Sequence, residues 1–365
     1  MGNESSIHQQ FSMQRLQAWL QQGDPAAEGV VTLFRARRLP LADPTPMIRE
    51  LAVAGEPACQ QLLQEMEVLP DWVDFSLMAK GGAMGYRQFP QLALALTHGG
   101  LPMSFATPEA ARILGGSNRL EQNVVRRLFE SATLFFGVLD TEALRPAGAV
   151  WDICLRVRLM HSMVRLRLMA AGDWTPEEGK PINPVHVAAG PLFFGSMVLR
   201  SLSRLGARVS EEEAEGYKLI WRYVTYLLGV PQEMLGSTDA EQERINNEIL
   251  LPLVFGPDDN SRRLINALMS GLTHMPMLGQ LPRGMHEALS RHLLGQELAD
   301  EFALPDSPLM KTAVGMLVLS LRGYGLPLRL PALRRQAVRI GQDFMTGFLQ
   351  HGLRGVAADF QEHPR

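Results

Sequence analysis

Apolar residues recur at three- and four-residue steps along almost the whole chain, which is the period of an α-helix, and no convincing run of alternating residues suggests a strand. The pattern predicts helices over 8–22, 45–66, 72–86, 119–138, 147–172, 185–206 and 210–229. Further helices are expected over 238–254, 259–273, 281–296, 306–322 and 330–351. Turn chemistry separates them. Gly23-Asp24-Pro25 punctuates the N-terminal region, and Pro70-Asp71-Trp72 reads as a helix start. Gly99-Gly100-Leu101-Pro102 and Gly115-Gly116-Ser117-Asn118 read as interruptions. Gly172 to Pro184 reads as a polar loop, and Gly256 to Ser261 as a further break. Ser210 with Glu213 three residues on forms a capping box. There is no internal repeat and no long linker. The expected fold is all-α: one large helical domain with an N-terminal helical region (1–66), a core (67–255) and a C-terminal helical region packed on it (256–365).

Composition fits that picture. The 365 residues are 46% hydrophobic and 20% charged, enough apolar material for a large interior. A net charge of −3 argues against a nucleic-acid partner. Two cysteines, Cys59 and Cys154, cannot build a disulfide framework, and Cys154 reads as a buried small hydrophobe. Met1 to Phe11 lacks an apolar signal-peptide core. No uninterrupted apolar run reaches the roughly 18–20 residues that span a bilayer. Val187 to Leu199 comes closest, but it contains Gly190, Pro191 and Gly195. The expectation is a cytoplasmic protein without a transmembrane segment, with peripheral membrane contact left open.

The densest candidate chemistry lies on the helix around residue 160. Val150, Ile153, Val157, His161, Val164 and Leu168 fall on one face, so a histidine stands in an apolar stripe. Arg158 and Arg165 lie within about 60° of it on the helical wheel. Burying two guanidinium groups beside an imidazole requires anionic partners. Protein carboxylates in a structural ion-pair network would serve. So would haem, which offers iron to the imidazole and two propionates to the arginines.

Other constellations offer less. Glu-x-x-His pairs, HExxH, CxxC and a P-loop are all missing from the sequence. His98, beside Gly99-Gly100, reads as a solvated loop residue or a pocket residue. His186 reads as structural, and His274, His286, His292, His351 and His363 as surface residues. Met160, Met163 and Met169 read as packing.

At RVRLMHSMVRLR, Arg156 to Arg167, the chain resembles the RxxHxxxR core of the rubber oxygenase (latex-clearing protein) and MpaB-type oxygenase family. Four further blocks follow the family's order over about residues 70–235. Pro70-Asp71-Trp72-Val73-Asp74 resembles its early P-x-W segment. Arg119-Leu120 and Arg127 to Ser131 resemble its RL…RxxxT helix. Gly179 to Asn183, GKPIN, resembles its G-x-PIN loop, and Trp221-Arg222-Tyr223 through Leu227-Leu228-Gly229-Val230 its W…LLGV helix. The resemblance implies an all-α fold around haem b, with His161 as proximal iron ligand and Arg158 and Arg165 neutralising propionates or bracing the site. It implies an oxygenase using O2 on an apolar substrate of prenyl, lipid-like or polyketide-derived type, with cleavage of a C=C bond. Rubber oxygenases place a lysine and a threonine where this chain has Glu130 and Ser131, which makes rubber itself a poor guess. Arg127, Glu130 and Ser131 are the catalytic candidates. Glu130 could accept a proton from an allylic carbon or merely pair with Arg126 or Arg127. Two rival readings remain open: a haem-binding sensor or carrier without turnover, and a cofactor-free helical interaction protein.

Overall fold

The computed structural model describes residues 10–116, 124–172, 174–175, 179–276 and 278–353. Among the described residues every regular element is helical, as the patterning predicts. The N-terminal third holds α1 (Met13–Leu20), α2 (Pro25–Arg37), α3 (Pro44–Val53) and α4 (Pro57–Glu67). The expected helix 45–66 is therefore two. Gly55, at φ +93°, and Pro57 break it. Asp24 caps α2 by accepting from the Ala27 amide at 3.2 Å, so the Gly-Asp-Pro signal opens a helix that the apolar pattern missed. The start expected at Pro70-Asp71-Trp72 lies a few residues later: Asp74 caps α5 (Phe75–Arg87).

The second departure is at Gly99-Gly100. No interruption occurs there. Phe89–Ala95 runs through a π turn at Leu96–Gly100 into Leu101–Phe105, one continuous helix, α6, and α7 (Pro108–Gly116) follows. The glycines serve packing instead. A Cβ on Gly99 would come 2.4 Å from Ser201 Oγ, and one on Gly100 2.8 Å from Val198 Cγ2. Both neighbours belong to α10 (Pro184–Arg204), which has its own π turn at Pro191–Ser196.

Between these lie α8 (Val124–Gly137) and the long α9 (Ala149–Ala171). After α10 come α11 (Glu211–Leu227), opened by the predicted Ser210/Glu213 capping box, and α12, which runs from Asp239–Arg244 through a π turn at Ile245–Leu250 into Leu251–Val254. The last helices are α13 (Asp259–Leu272), α14 (Arg283–Leu294), α15 (Gln296–Glu301), α16 (Pro308–Tyr324) and α17 (Pro331–Leu353).

The core centres on α11 against α5. Gly81 and Gly216 allow that crossing: a Cβ on Gly81 would stand 2.2 Å from the Tyr217 nitrogen. One apolar cluster joins side chains from α2 and α4, from α9 and α11, and from α14, α16 and α17, so the three expected regions share a core. The three π turns lie side by side, those of α6 and α12 each packing on that of α10. α10 is long and apolar enough to cross a membrane, which the sequence reading did not expect, yet just over half of its most apolar stretch (56%) is buried against other helices.

Candidate active site

His161 sits on the fourth turn of α9, in the stripe that begins at Val150. Its Nδ1 is buried and has no hydrogen-bond partner. Burial lowers the pKa of the ring to about 4, and the Arg165 charge pushes the same way, against a partial offset from Asp24. The imidazole is therefore neutral at physiological pH, the form that donates a lone pair to a metal.

The two flanking arginines are buried and fully engaged. Arg158 forks onto Asp24, Nε to Oδ2 at 2.7 Å and Nη2 to Oδ1 at 2.9 Å, and its Nη2 also reaches Glu65. Burial alone would favour the neutral guanidine. The two carboxylates outweigh that penalty, and the net shift of its pKa is upward. Arg165 donates from Nη1 to Glu28 Oε1 at 3.0 Å, from Nε to the Pro181 carbonyl at 3.0 Å and from Nη2 to the Ile182 carbonyl. Of the two anion sources that the sequence allows, protein carboxylates are the ones in place. The arginines tie α9 to the start of α2, to α4 and to the 180–183 loop.

These ties give the sequence blocks a physical meaning. Gly229 has φ +88°, and a Cβ there would lie 2.6 Å from both Arg158 Nε and Asp24 Oδ2. Only glycine leaves room for the ion pair. In GKPIN, Gly179 (φ +78°) passes close to the Leu20 carbonyl, and Pro181 and Ile182 present carbonyls to Arg165. Asn183 caps α10 by accepting from the Val185 and His186 amides at 3.1 and 3.2 Å. Glu109 on α7 accepts from the Ile182 amide at 2.7 Å and meets His186 Nδ1 at 2.5 Å. Glu28, Glu65 and Glu109 were missed in the sequence because carboxylates are common on helices and nothing local marks their partners. In the sequence Asp24 reads only as a turn residue.

On α8 the three expected residues divide between two faces. Ser131, with Leu128, Ala132 and Phe135, lines an apolar cavity of about 530 Å3 closed by α5, α6, α16 and α17. Arg127 and Glu130 are not in that wall. Glu130 is buried and accepts from Arg126 Nε at 2.9 Å and Arg127 Nη1 at 3.5 Å, the pairing alternative. Ser131 therefore faces the cavity, and Glu130 lies on a different face of α8, held by Arg126 and Arg127. Arg119 and Leu120 lie outside the described residues.

Two histidines overturn their expected surface or loop placement. His98 and His286 are both fully buried, with rings stacked at 5.2 Å and Nε2 of His98 2.9 Å from Nδ1 of His286. His98 lies on the π turn of α6 with its Nδ1 2.8 Å from Thr97 Oγ1. Period alone does not show this, because Gly99-Gly100 reads as a break beside His98.

Among the described residues no three His, Cys, Asp or Glu side chains converge on one point, so no metal held by protein ligands alone has a candidate there. An imidazole with no second protein ligand beside it among the described residues, as at His161, suits a metal that arrives with its other ligands, as in haem.

Comparison with known proteins agrees with the architecture. The profile of the family described as "ER-bound oxygenase mpaB/B'/Rubber oxygenase, catalytic domain" matches residues 38–326. Rubber oxygenase from Streptomyces sp. (strain K30) is 23% identical over 320 residues, covering 83% of this chain and 75% of that protein. The structure of latex clearing protein LCP in the closed state matches with a TM-score of 0.59 at 22% identity, over 84% of this chain and 89% of that one, which speaks for the shared fold.

Proposed function

The chain belongs to the MpaB/rubber oxygenase catalytic-domain family and is an oxygenase, and from that premise we propose that it is haem b-dependent, with His161 as the iron ligand. The observation that carries this reading is His161 Nδ1: a buried, unpartnered nitrogen on a neutral ring, on a helix pinned by two arginines. A buried nitrogen left without a partner costs roughly 1–3 kcal/mol, and ligation would remove that cost.

Haem, when bound, supplies the iron at which O2 is activated. The chain's residues supply the rest. His161 donates its lone pair. Arg158, through Asp24 and Glu65, and Arg165, through Glu28 and the Pro181 and Ile182 carbonyls, hold α9 in place, so their role is bracing. The cavity behind Ser131 takes the apolar substrate and excludes water, and its lining is mostly leucine, phenylalanine and alanine. An alkene of prenyl or other lipid-like type, cleaved at a C=C bond, is the substrate class that fits. Glu130 is the α8 carboxylate that we propose as proton acceptor; it lies outside the cavity wall, held by Arg126 and Arg127.

The test is the visible spectrum of the purified protein after haem addition, followed by oxygen uptake with a reductant and an isoprenoid alkene. A Soret band with alkene-dependent uptake is expected. A Soret band without uptake would favour a sensor or carrier, and a folded, colourless protein would favour the cofactor-free reading.

A further inference from the structure

Eight of the fourteen large apolar side chains that stand exposed among the described residues fall between positions 309 and 340. They belong to α16, to the two residues flanking the 3-10 turn at Pro327–Arg329 (Leu326 and Leu330) and to the first half of α17. On α16 the inner face carries the buried Val314 and Val318 against the core, while Leu309, Met316 and Leu319 form an outer stripe on the opposite side. Met316 and Leu319 remain 65% and 70% exposed. A helix that is apolar all round is ordinarily buried on every side, and this one is not.

The charge of the same segment is one-sided. Residues 309–340 contain Lys311, Arg322, Arg329, Arg334, Arg335 and Arg339 and not one Asp or Glu, in a chain whose net charge is −3. Arg334 is paired with Glu213. Lys311 is paired with Asp306 at 2.9 Å, and Arg322, Arg335 and Arg339 are exposed. An apolar stripe flanked by arginine is the pattern of an element lying in the headgroup region of an anionic bilayer.

The face is also continuous with the cavity. α16 packs on α14, and α17 packs on α5 and α8. Leu317, Leu321 and Tyr324 of α16 and Ile340, Phe344 and Phe348 of α17 line the cavity between them. Ile340 and Tyr324 are at once cavity wall and exposed surface, so the cavity reaches the surface within the apolar patch.

We propose that the α16–α17 face docks on an anionic lipid surface and opens the cavity toward the bilayer, from which an apolar substrate enters without crossing water. The docking surface stands independently of the haem reading; only the substrate route rests on the cavity's proposed use. α17 lies wholly beyond residue 326, where the family match ends, while α16 lies within it.

The test is flotation of the full chain with phosphatidylcholine vesicles, with and without phosphatidylglycerol. Wild type should float with the anionic vesicles, less with neutral ones, and less again at high salt. Met316→Glu with Leu319→Glu, neither of them in the cavity wall, should weaken association by roughly tenfold or more. Arg335→Glu with Arg339→Glu should remove the preference for anionic lipid, with unchanged far-UV circular dichroism in both pairs. Wild type that floats with neither vesicle, or association that both pairs leave untouched, would overturn the proposal. So would a wild-type dimer in light scattering that Met316→Glu with Leu319→Glu converts to a monomer, because the face would then belong to a second copy. The haem spectrum of the same preparations reports on His161 separately, so either reading can fail alone.

Discussion

Gly229→Ala is the smallest change that strikes the brace behind His161. Residue 229 has φ +88°, where a side chain costs about 1–2 kcal/mol. The new methyl would also lie 2.6 Å from Arg158 Nε and 2.6 Å from Asp24 Oδ2, two atoms that are themselves 2.7 Å apart. It cannot fit without parting them. Arg158 has little freedom to swing aside, because its guanidinium is also held by Glu65 inside a buried site. Losing one partner of a buried pair costs about 3–5 kcal/mol. Displacement falls short of full loss, so displacement and strain together should cost about 3–5 kcal/mol. Urea unfolding measures this, on wild type, Gly229→Ala, Asp24→Asn and the double variant. In the Asp24→Asn background the methyl meets a weaker pair, and its cost should fall toward the backbone share of about 1–2 kcal/mol. A single-variant cost below about 1 kcal/mol, or full additivity across the cycle, would refute the claim that glycine is there to admit the ion pair.

Acid should destabilise the protein through its buried imidazoles. Burial, then the neighbouring His286, lowers the His98 pKa to about 3, with the Leu94 carbonyl as a partial offset. The unfolded chain takes up this proton near pH 6.5 and the folded chain only near 3. Stability present above pH 6.5 is therefore lost as pH falls through that window, with a slope of up to about 1.4 kcal/mol per pH unit for one group. His98→Gln should flatten the dependence in urea unfolding between neutral pH and about pH 4.5, and an unchanged slope would count against the buried pair. Glu130→Gln should lower oxygen uptake with an alkene by roughly tenfold or more while leaving the haem spectrum intact, and unchanged uptake would return Glu130 to a plain ion pair with Arg126 and Arg127.

Helix period and caps made most of the fold legible. The Ser210/Glu213 box, the α9 stripe and the α16 helix lie where the pattern puts them. Glycine caused the main departures, because one residue type serves two purposes. At Gly55 it breaks a helix with positive φ, and at Gly99 and Gly100 it lets α6 meet α10. Only the tertiary contact distinguishes the two. In the site, His161 and its arginines were visible because they share one helix face. Their carboxylate partners were not, since Asp24, Glu28 and Glu65 lie about 90–140 residues away in sequence, beyond the reach of any helical period. Ser131 and Glu130 are adjacent in sequence, yet a step of about 100° sends them to different spaces.

The central claim is that His161 binds iron. The most direct measurement is the visible spectrum of His161→Ala with haem supplied, recorded with and without added imidazole. Alanine cannot ligate, and it leaves a space that imidazole can enter. The account predicts loss of haem or a shifted Soret band in the variant, and partial return of the wild-type spectrum with imidazole. A variant that keeps the wild-type spectrum, losing only the roughly 1–3 kcal/mol of stability expected of an altered core residue, would contradict it.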